Sequence, residues 1–295
     1  MSPSIAFIGA GRLATTLATA LSRSGVAVLG IASSNPESAR RLAASLSGCK
    51  AMSADDTAEA DLVFLTVPDD HIATVAETTR WRRGQMLAHC SGATEVAALD
   101  AAARQGALTG GFHPMQNFAD PQRALALLAG SSVAIEGPPE VEAALSALAE
   151  RLGMAPLFLP PGARALYHGS ASFAASFLLS MLQEAVAVWG AFGIDETRAL
   201  QALLPVAQGT LQAAAGKGLA GALAGPISRG DVGVVERHLR ALEQLGPAHA
   251  AFYADMSRRQ LELARASGRL SEAQLQRFAL LLAKGEWPLV AVAQR

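Results

Sequence analysis

The fold class predicted from this sequence is a doubly wound α/β half followed by an all-helical half, and three observations predict it. Short β-branched runs alternate with helical patterns as far as residue 159, the signature of parallel strand–helix–strand units. The turn Pro160-Pro161-Gly162 ends that alternation, and long helical stretches broken by Gly and Pro follow it. At the amino end, Ile5-Ala6-Phe7-Ile8 runs into Gly9-Ala10-Gly11-Arg12-Leu13-Ala14, a strand, a glycine turn and a helix in succession.

The expected strands lie at 4–8, 26–32, 61–67, 85–89, 107–112, 132–136 and 155–159. Helices are expected at 12–24, 36–46, 70–79, 94–104 and 139–152, several opened by Pro, Asp or Thr as helix starts often are. The boundary is placed after Pro160, giving a dinucleotide-binding domain at 1–160 and a helical substrate and dimerisation domain at 161–295. In the second half, 163–189 reads as one helix of about 40 Å at 1.5 Å per residue. Further helices are expected at 195–215, 231–245, 247–267 and 271–284, with Pro205 kinking or dividing the first of these.

A chain of 295 residues accommodates two ordinary domains. With 51% hydrophobic and 17% charged residues and a formal net charge of -1, it has apolar surface to bury and no charge excess that would suit nucleic acid or an acidic membrane face. Cys49 and Cys90 stand in unrelated contexts, which argues against a disulfide framework and a zinc site, so no metal is expected. The start Met1-Ser2-Pro3-Ser4-Ile5 lacks the pattern of a secretory leader, and a cytoplasmic location is expected. Residues 171–193 are apolar over roughly a bilayer's width, but Gln183 and Glu184 sit near their centre; a buried helix, with no membrane involved, is the expectation.

In the glycine turn, Gly9 makes the tight bend, Gly11 lets backbone approach a pyrophosphate, and the small Ala14 allows helix and strand to pack closely. Ala10, Arg12 and Leu13 complete the loop, whose amides meet phosphate at the positive end of the helix. After the second strand the chain reads Ile31-Ala32-Ser33-Ser34-Asn35-Pro36, with no acid until Glu37 to bond a ribose 2′-hydroxyl. Ser33, Ser34 and Asn35 can donate to a 2′-phosphate and Arg40 can add charge, so NADP is the expected cofactor.

The reactive end of such a cofactor lies over the carboxyl ends of later strands. Val67-Pro68-Asp69-Asp70, His89-Cys90-Ser91-Gly92 and Phe112-His113-Pro114-Met115-Gln116 occupy those places. Val67 and Pro68 are read as a wall beside the ring, Asp69 or Asp70 as a helix cap, and His89, Ser91 and His113 as converging on one crevice, with a structural histidine as the alternative for each imidazole. Arg164, His168, Ser172 and Ser176 follow at i+4 on the first helix of the second half, with Tyr167 beside them. Phe173, Phe177, Leu178, Met181, Leu182 and Trp189 on its other faces suggest a buried helix, whose polar stripe would need partners.

The glycine fingerprint, the stretch 62–70, His89-Cys90-Ser91-Gly92-Ala93, His113-Pro114-Met115-Gln116, Tyr167-His168 and Gly225-Pro226-Ile227-Ser228-Arg229-Gly230-Asp231 together resemble proteins with a Rossmann-like domain followed by domain of unknown function 2520. The resemblance spans nearly the whole chain. It implies a fold similar to ketopantoate reductase and pyrroline-5-carboxylate reductase, with a helical domain of the 6-phosphogluconate-dehydrogenase-like kind, NADP as cofactor and a homodimer. The family pattern often has lysine where Arg164 stands and asparagine where Ser176 stands. Arginine is effectively always protonated, so Arg164 suits a carboxylate better than a proton transfer. Asp231 is also read as the cap of the helix after it.

The expected activity is NADPH-dependent reduction of the carbonyl of a small carboxylate, a 2-keto acid resembling ketopantoate. His168 is expected to give the proton, with His113 second and Tyr167 assisting. Arg164 or Arg229 would anchor the carboxylate, and Ser91 would hold the substrate or the nicotinamide amide. Reduction of a C=N bond, as in the similar pyrroline-5-carboxylate reductases, and a non-catalytic NADPH-binding sensor or scaffold are the alternatives.

Overall fold

Eight strands form one sheet in the order β3-β2-β1-β4-β5-β6-β7-β8 in the computed structural model, which describes residues 3–283. Their ranges are β1 Ile5–Ile8, β2 Val28–Ala32, β3 Lys50–Ala51, β4 Leu62–Leu65, β5 Met86–His89, β6 Leu108–Pro114, β7 Ser132–Glu136 and β8 Ala155–Phe158. All neighbours pair in parallel except β6 and β7, which run antiparallel, so the doubly wound sheet has one reversed step. The central strands read as continuous apolar runs because both faces are covered. Ile5 and Phe7 enter one core with Leu17, Phe64 and Phe112, while Ala6 and Ile8 enter the other with Val63, Leu65 and Leu87.

The covering helices are α1 Arg12–Arg23, α2 Pro36–Ala44, α3 Ile72–Thr78, α4 Asp100–Arg104, α5 Pro121–Leu127 and α6 Pro139–Arg151. Asn35 caps α2 by accepting from the amides of Glu37 and Ser38, with Pro36 at the first helical position. The sequence reading missed β3, two residues long, and α5, where Asp120 and Pro121 form a cap and helix start of the same kind. Asp69 and Asp70 lie inside a 3-10 turn without capping it, so the capping role expected of them is not theirs.

The chain divides into two compact units at Ala175, not at the Pro160–Gly162 turn. The first unit keeps helix α7, Arg164–Ala174, because Arg164 is buried against the sheet. Ala175, at φ -121° and ψ -88°, ends that helix, so the single helix expected over 163–189 is two, the second being α8 Ser176–Gly190. The second unit continues with α9 Glu196–Ala222, α10 Pro226–Arg229, α11 Val232–Leu245, α12 Pro247–Ala266 and α13 Glu272–Ala283. Lys284, the expected end of the last helix, lies outside the described residues, as do Met1 and Ser2. Pro205 is carried inside α9, and the non-helical residue there is Gly218, at φ 68°, where the missing Cβ permits a left-handed backbone.

Ile227, Val235, Leu239, Ala254, Leu275 and Phe278 form the second unit's core. Helix α8 contributes nothing to it, since none of its residues is buried, and the buried helix expected here is an exposed one. By length and composition alone, Arg164–Gly190 is the one stretch among the described residues apolar enough to cross a membrane. The reason is local: α8 packs against α9, while Leu179 and Met181 remain 67% and 42% exposed.

Phe64 lies between Phe7 and Phe112, with ring centroids 5.4 and 5.2 Å away, and is fully buried at the middle of the sheet. Phe64→Ala should therefore lower unfolding stability by about 3–5 kcal/mol, read as a drop in the urea midpoint at constant m. A loss under about 1 kcal/mol would show that this cluster does not hold the sheet.

Candidate active site

A cleft of about 880 Å³ opens over the carboxyl ends of β1, β2, β4 and β5. Gly9 turns the chain there at φ 112°, and a Cβ on it would come within 2.6 Å of the Thr66 carbonyl, so only glycine fits. Helix α1 begins at Gly11 with no side-chain cap and no acid in its first turn, leaving its leading amides available to an anion. A Cβ on Gly11 would meet nothing within 4 Å, so the approach to that backbone is open. These features fit a dinucleotide pyrophosphate.

Of the expected cofactor residues, Gly9, Ala10, Gly11, Arg12, Leu13, Ser33, Ser34, Val67 and Pro68 line this cleft. Three others do not. Asn35 spends its side-chain oxygen on the α2 cap, Arg40 pairs with Glu37 at 2.9 Å, and His89 is fully buried at the end of β5. Ser38, Met52, Ser53, Thr66 and Thr74 line the cleft without having been singled out. Thr66 lies inside the expected strand 61–67 and directly follows the shorter observed β4, while Met52 follows β3, which the pattern did not reveal.

Beyond the cleft's lining residues Cys90 and Ser91 comes Gly92, where His113 and His168 come together. A Cβ on Gly92 would fall 2.4 Å from His168 Cδ2 and 2.9 Å from His113 Nε2, so both rings rest on bare backbone. His113 and His168 meet edge to face at 5.7 Å, and His113 Nδ1 is hydrogen-bonded to the Tyr167 hydroxyl at 3.0 Å. Burial, then the nearby His168 and Arg164, push His113 down to about 4, with Asp69 opposing weakly. Burial raises the Tyr167 phenol. Near neutral pH the pair is therefore a neutral imidazole and a protonated phenol. This corrects the expectation of His113 as a proton donor, because desolvation, the neighbouring His168 and the Arg164 charge disfavour its protonated form.

Arg164 differs most from its expected role. It is 0% exposed, donates from Nε to Glu136 Oε2 at 2.6 Å and from Nη1 to the Ser91 carbonyl at 2.9 Å, and so cannot reach out to a substrate carboxylate. Its space comes from Gly111, whose Cβ would stand 1.8 Å from Nη2. Gly111 pairs with His89 of β5 on one side and Glu136 of β7 on the other, so the guanidinium lies on a row running across three strands. Among the described residues, His89 finds no hydrogen-bond partner for either ring nitrogen, and neither does Arg164 Nη2. Burial, the Arg164 charge and His113 push His89 down to about 3, which makes it the structural histidine of the two readings.

Ser91 does line the cleft, but its hydroxyl accepts from the amides of Ala93 and Thr94 and donates to Thr94 Oγ1, so it shapes the turn and is not free to hold a ligand. Arg229, in the second unit, is exposed and paired with Asp231 at 2.9 Å. Asp231 stands at the start of α11 yet makes no capping bond, because Arg229 engages its carboxylate. Sequence reasoning missed Glu95 and Glu136, which bond the start of α7 and Arg164 and carry no motif.

The buried His89 and the half-buried His113 both refuse a proton that the unfolded chain accepts near 6.5. Stability should consequently fall as pH drops from about 6.5 toward about 4, above the range where most carboxylates titrate. The check is the urea midpoint at about pH 7 and about pH 5; equal midpoints would mean that these rings titrate normally.

Comparison with known proteins follows this division of labour. At 24% identity and a TM-score of 0.75, a Thermotoga maritima protein shares the fold over 89% of this chain and 98% of its own. A "putative NADP oxidoreductase" of Bacteroides fragilis is 26% identical with a TM-score of 0.65, over 87% of this chain and 97% of its own. The reductive aminase of Aspergillus terreus, solved with NADPH and ethyl levulinate, is 19% identical with a TM-score of 0.61, over 95% and 93%. No curated protein matches the chain. Residues 2–114 match the Rossmann-like domain and residues 131–260 match domain of unknown function 2520, so the chain is similar to both along most of its length.

Proposed function

We propose that the protein is an NADP(H)-dependent reductase of a polarised C=N or C=O bond. The observation that carries this reading is the cleft, which starts at the uncapped amides of α1 and ends at Cys90 and Ser91, one residue from the glycine bearing His113 and His168. The name of the Bacteroides fragilis relative supports NADP, as do the hydroxyls of Ser33, Ser34 and Ser38 where an acid would select NAD. When bound, reduced nicotinamide supplies the hydride. The chain's own part is to hold the diphosphate on the Gly9–Leu13 loop, to wall the ring with Val67 and Pro68, and to present a proton near Gly92.

His168 is our choice of proton donor, because it is exposed and rests against His113, which the hydrogen bond to Tyr167 holds in place. Between the substrates, the imine reading gains over the small keto acid. Arg164, expected to bind the carboxylate, is consumed by Glu136 and Ser91, and an iminium needs neither that anchor nor much acid assistance.

The test is consumption of NADPH by purified protein against 2-keto acids including ketopantoate, cyclic imines, and ketones supplied with amines. Turnover is expected with imines or with ketone and amine together. His168→Ala should lower turnover of a ketone or keto acid by about 10²–10⁴-fold and turnover of a preformed cyclic iminium far less, while NADPH affinity stays near wild type. Tight NADPH binding without any turnover would favour the sensor reading, and no NADPH binding would end the proposal.

We further propose a second copy of the chain as partner. In the second unit Leu179, Phe192, Val206 and Leu211, on α8, α9 and the turn between them, are each at least 59% exposed, apolar surface that a second copy would cover. Sedimentation should give a dimer, and Leu179→Glu should shift it toward monomer. A monodisperse monomer, or solubility only in detergent, would overturn this.

A further inference from the structure

We infer that Glu136 and Glu95 are positioning residues for the His113–Tyr167–His168 group, acting through Arg164 and the first turn of α7. Helix α7 starts at Arg164 without a side-chain cap from its own N-cap residue, Ala163. Glu95 takes that place from another part of the chain: Oε2 accepts from the Gly162 amide at 3.0 Å and Oε1 from the Arg164 amide at 3.2 Å. A carboxylate there also meets the positive end of the helix. Glu136 fixes the same turn from the sheet by taking the Arg164 Nε proton at 2.6 Å, with both side chains buried.

Two carboxylates thus hold one residue, one by its backbone and one by its side chain. Tyr167 and His168 follow three and four positions later, the spacing at which helical side chains share a face. Once Arg164 is fixed over Gly111, rotation of α7 about its axis is fixed too. That rotation is what places the Tyr167 hydroxyl 3.0 Å from His113 Nδ1 and the His168 ring on Gly92. Neither glutamate lines the cleft, so their effect on chemistry passes through the helix. A buried guanidinium bonded on two sides resists displacement better than an ammonium, which offers no planar fork.

The catalytic arm of this inference rests on the reductase reading; the structural arm does not. Removing one partner of a buried pair strands a charge, so the variant of choice is the double Glu136→Gln with Arg164→Met, which leaves none unpaired. The His113 ring-nitrogen resonances of wild type, this variant and Tyr167→Phe are compared by NMR, together with NADPH affinity and turnover. We expect the double variant's His113 signal to move to the position seen in Tyr167→Phe. Turnover should fall by at least about tenfold, and a misplacement near 1 Å can cost about a hundredfold. NADPH affinity should change by less than about twofold.

A His113 signal left at its wild-type position, a smaller loss of turnover, or an affinity that falls in step with turnover would each overturn the inference. Should the double variant not fold, Glu95→Ala, at a half-buried cap, repeats the measurement without touching the buried pair. If wild type neither binds nor oxidises NADPH, the reductase reading fails, and the His113 resonance still decides the positioning role.

Discussion

A guanidinium that cannot be deprotonated, placed where no water reaches it, calls for acceptors around it, and the first unit supplies two to Arg164, while its Nη2 finds none among the described residues. Glu136 comes from the one antiparallel strand pair, Ser91 from the loop after β5, and the space from Gly111 between them. Move any of these and a buried charge is stranded, which costs about 3–5 kcal/mol when a single partner is lost. The start of α7 is fixed by electrostatic necessity as much as by apolar packing, since Arg164 is the helix's only buried residue.

At the other end of the cleft the constraint is steric. Gly9 must pass the Thr66 carbonyl in a backbone conformation closed to other residues, and Thr66 Oγ1 ties the crossing by donating toward the Ile8 and Gly9 carbonyls. Gly92 applies the same logic at the histidine group. In both places a missing side chain is what lets two functional surfaces approach. The two ends differ in what they offer: backbone amides at α1 suit an anion of fixed shape, whereas the group at Gly92 is built of side chains.

The α1 end was legible in the sequence and the Gly92 end only in part, for a physical reason. A strand, a glycine turn and a helix are contiguous, so the Gly9–Ala14 loop announces its geometry within ten residues. His113, Tyr167 and His168 could be proposed because polar residues at strand ends and at helical spacing stand out against apolar surroundings. The role of Arg164 could not be read, because what decides it is Glu136, separated by 28 positions and placed beside it only by the reversal of β7. The same pattern that marked a polar stripe on a helix cannot say whether its first member points to ligand or to sheet. Helix α8 misled in the opposite sense: a run of apolar residues is expected inside, yet burial depends on what covers it, and composition carries no record of that.

Arginine at 164 also changes what the site can offer a substrate. A lysine there would present one compact, movable charge able to give up its proton when desolvated. The guanidinium keeps its charge and has its fork held by Glu136 and Ser91, so it supplies rigidity to α7 and withholds both a proton and a free cation from the cleft. Its field still reaches the site, since it helps keep His113 and His89 neutral. On the proposed reading, a substrate arriving with its own positive charge at the reacting nitrogen would meet the neutral His113 imidazole and the protonated Tyr167 phenol and would ask little of His168. A substrate relying on an anionic tail would find the nearest guanidinium already neutralised. Under the proposed reductase reading, the residue that fixes the start of α7 is also a reason to prefer a C=N substrate to the carbonyl of a keto acid.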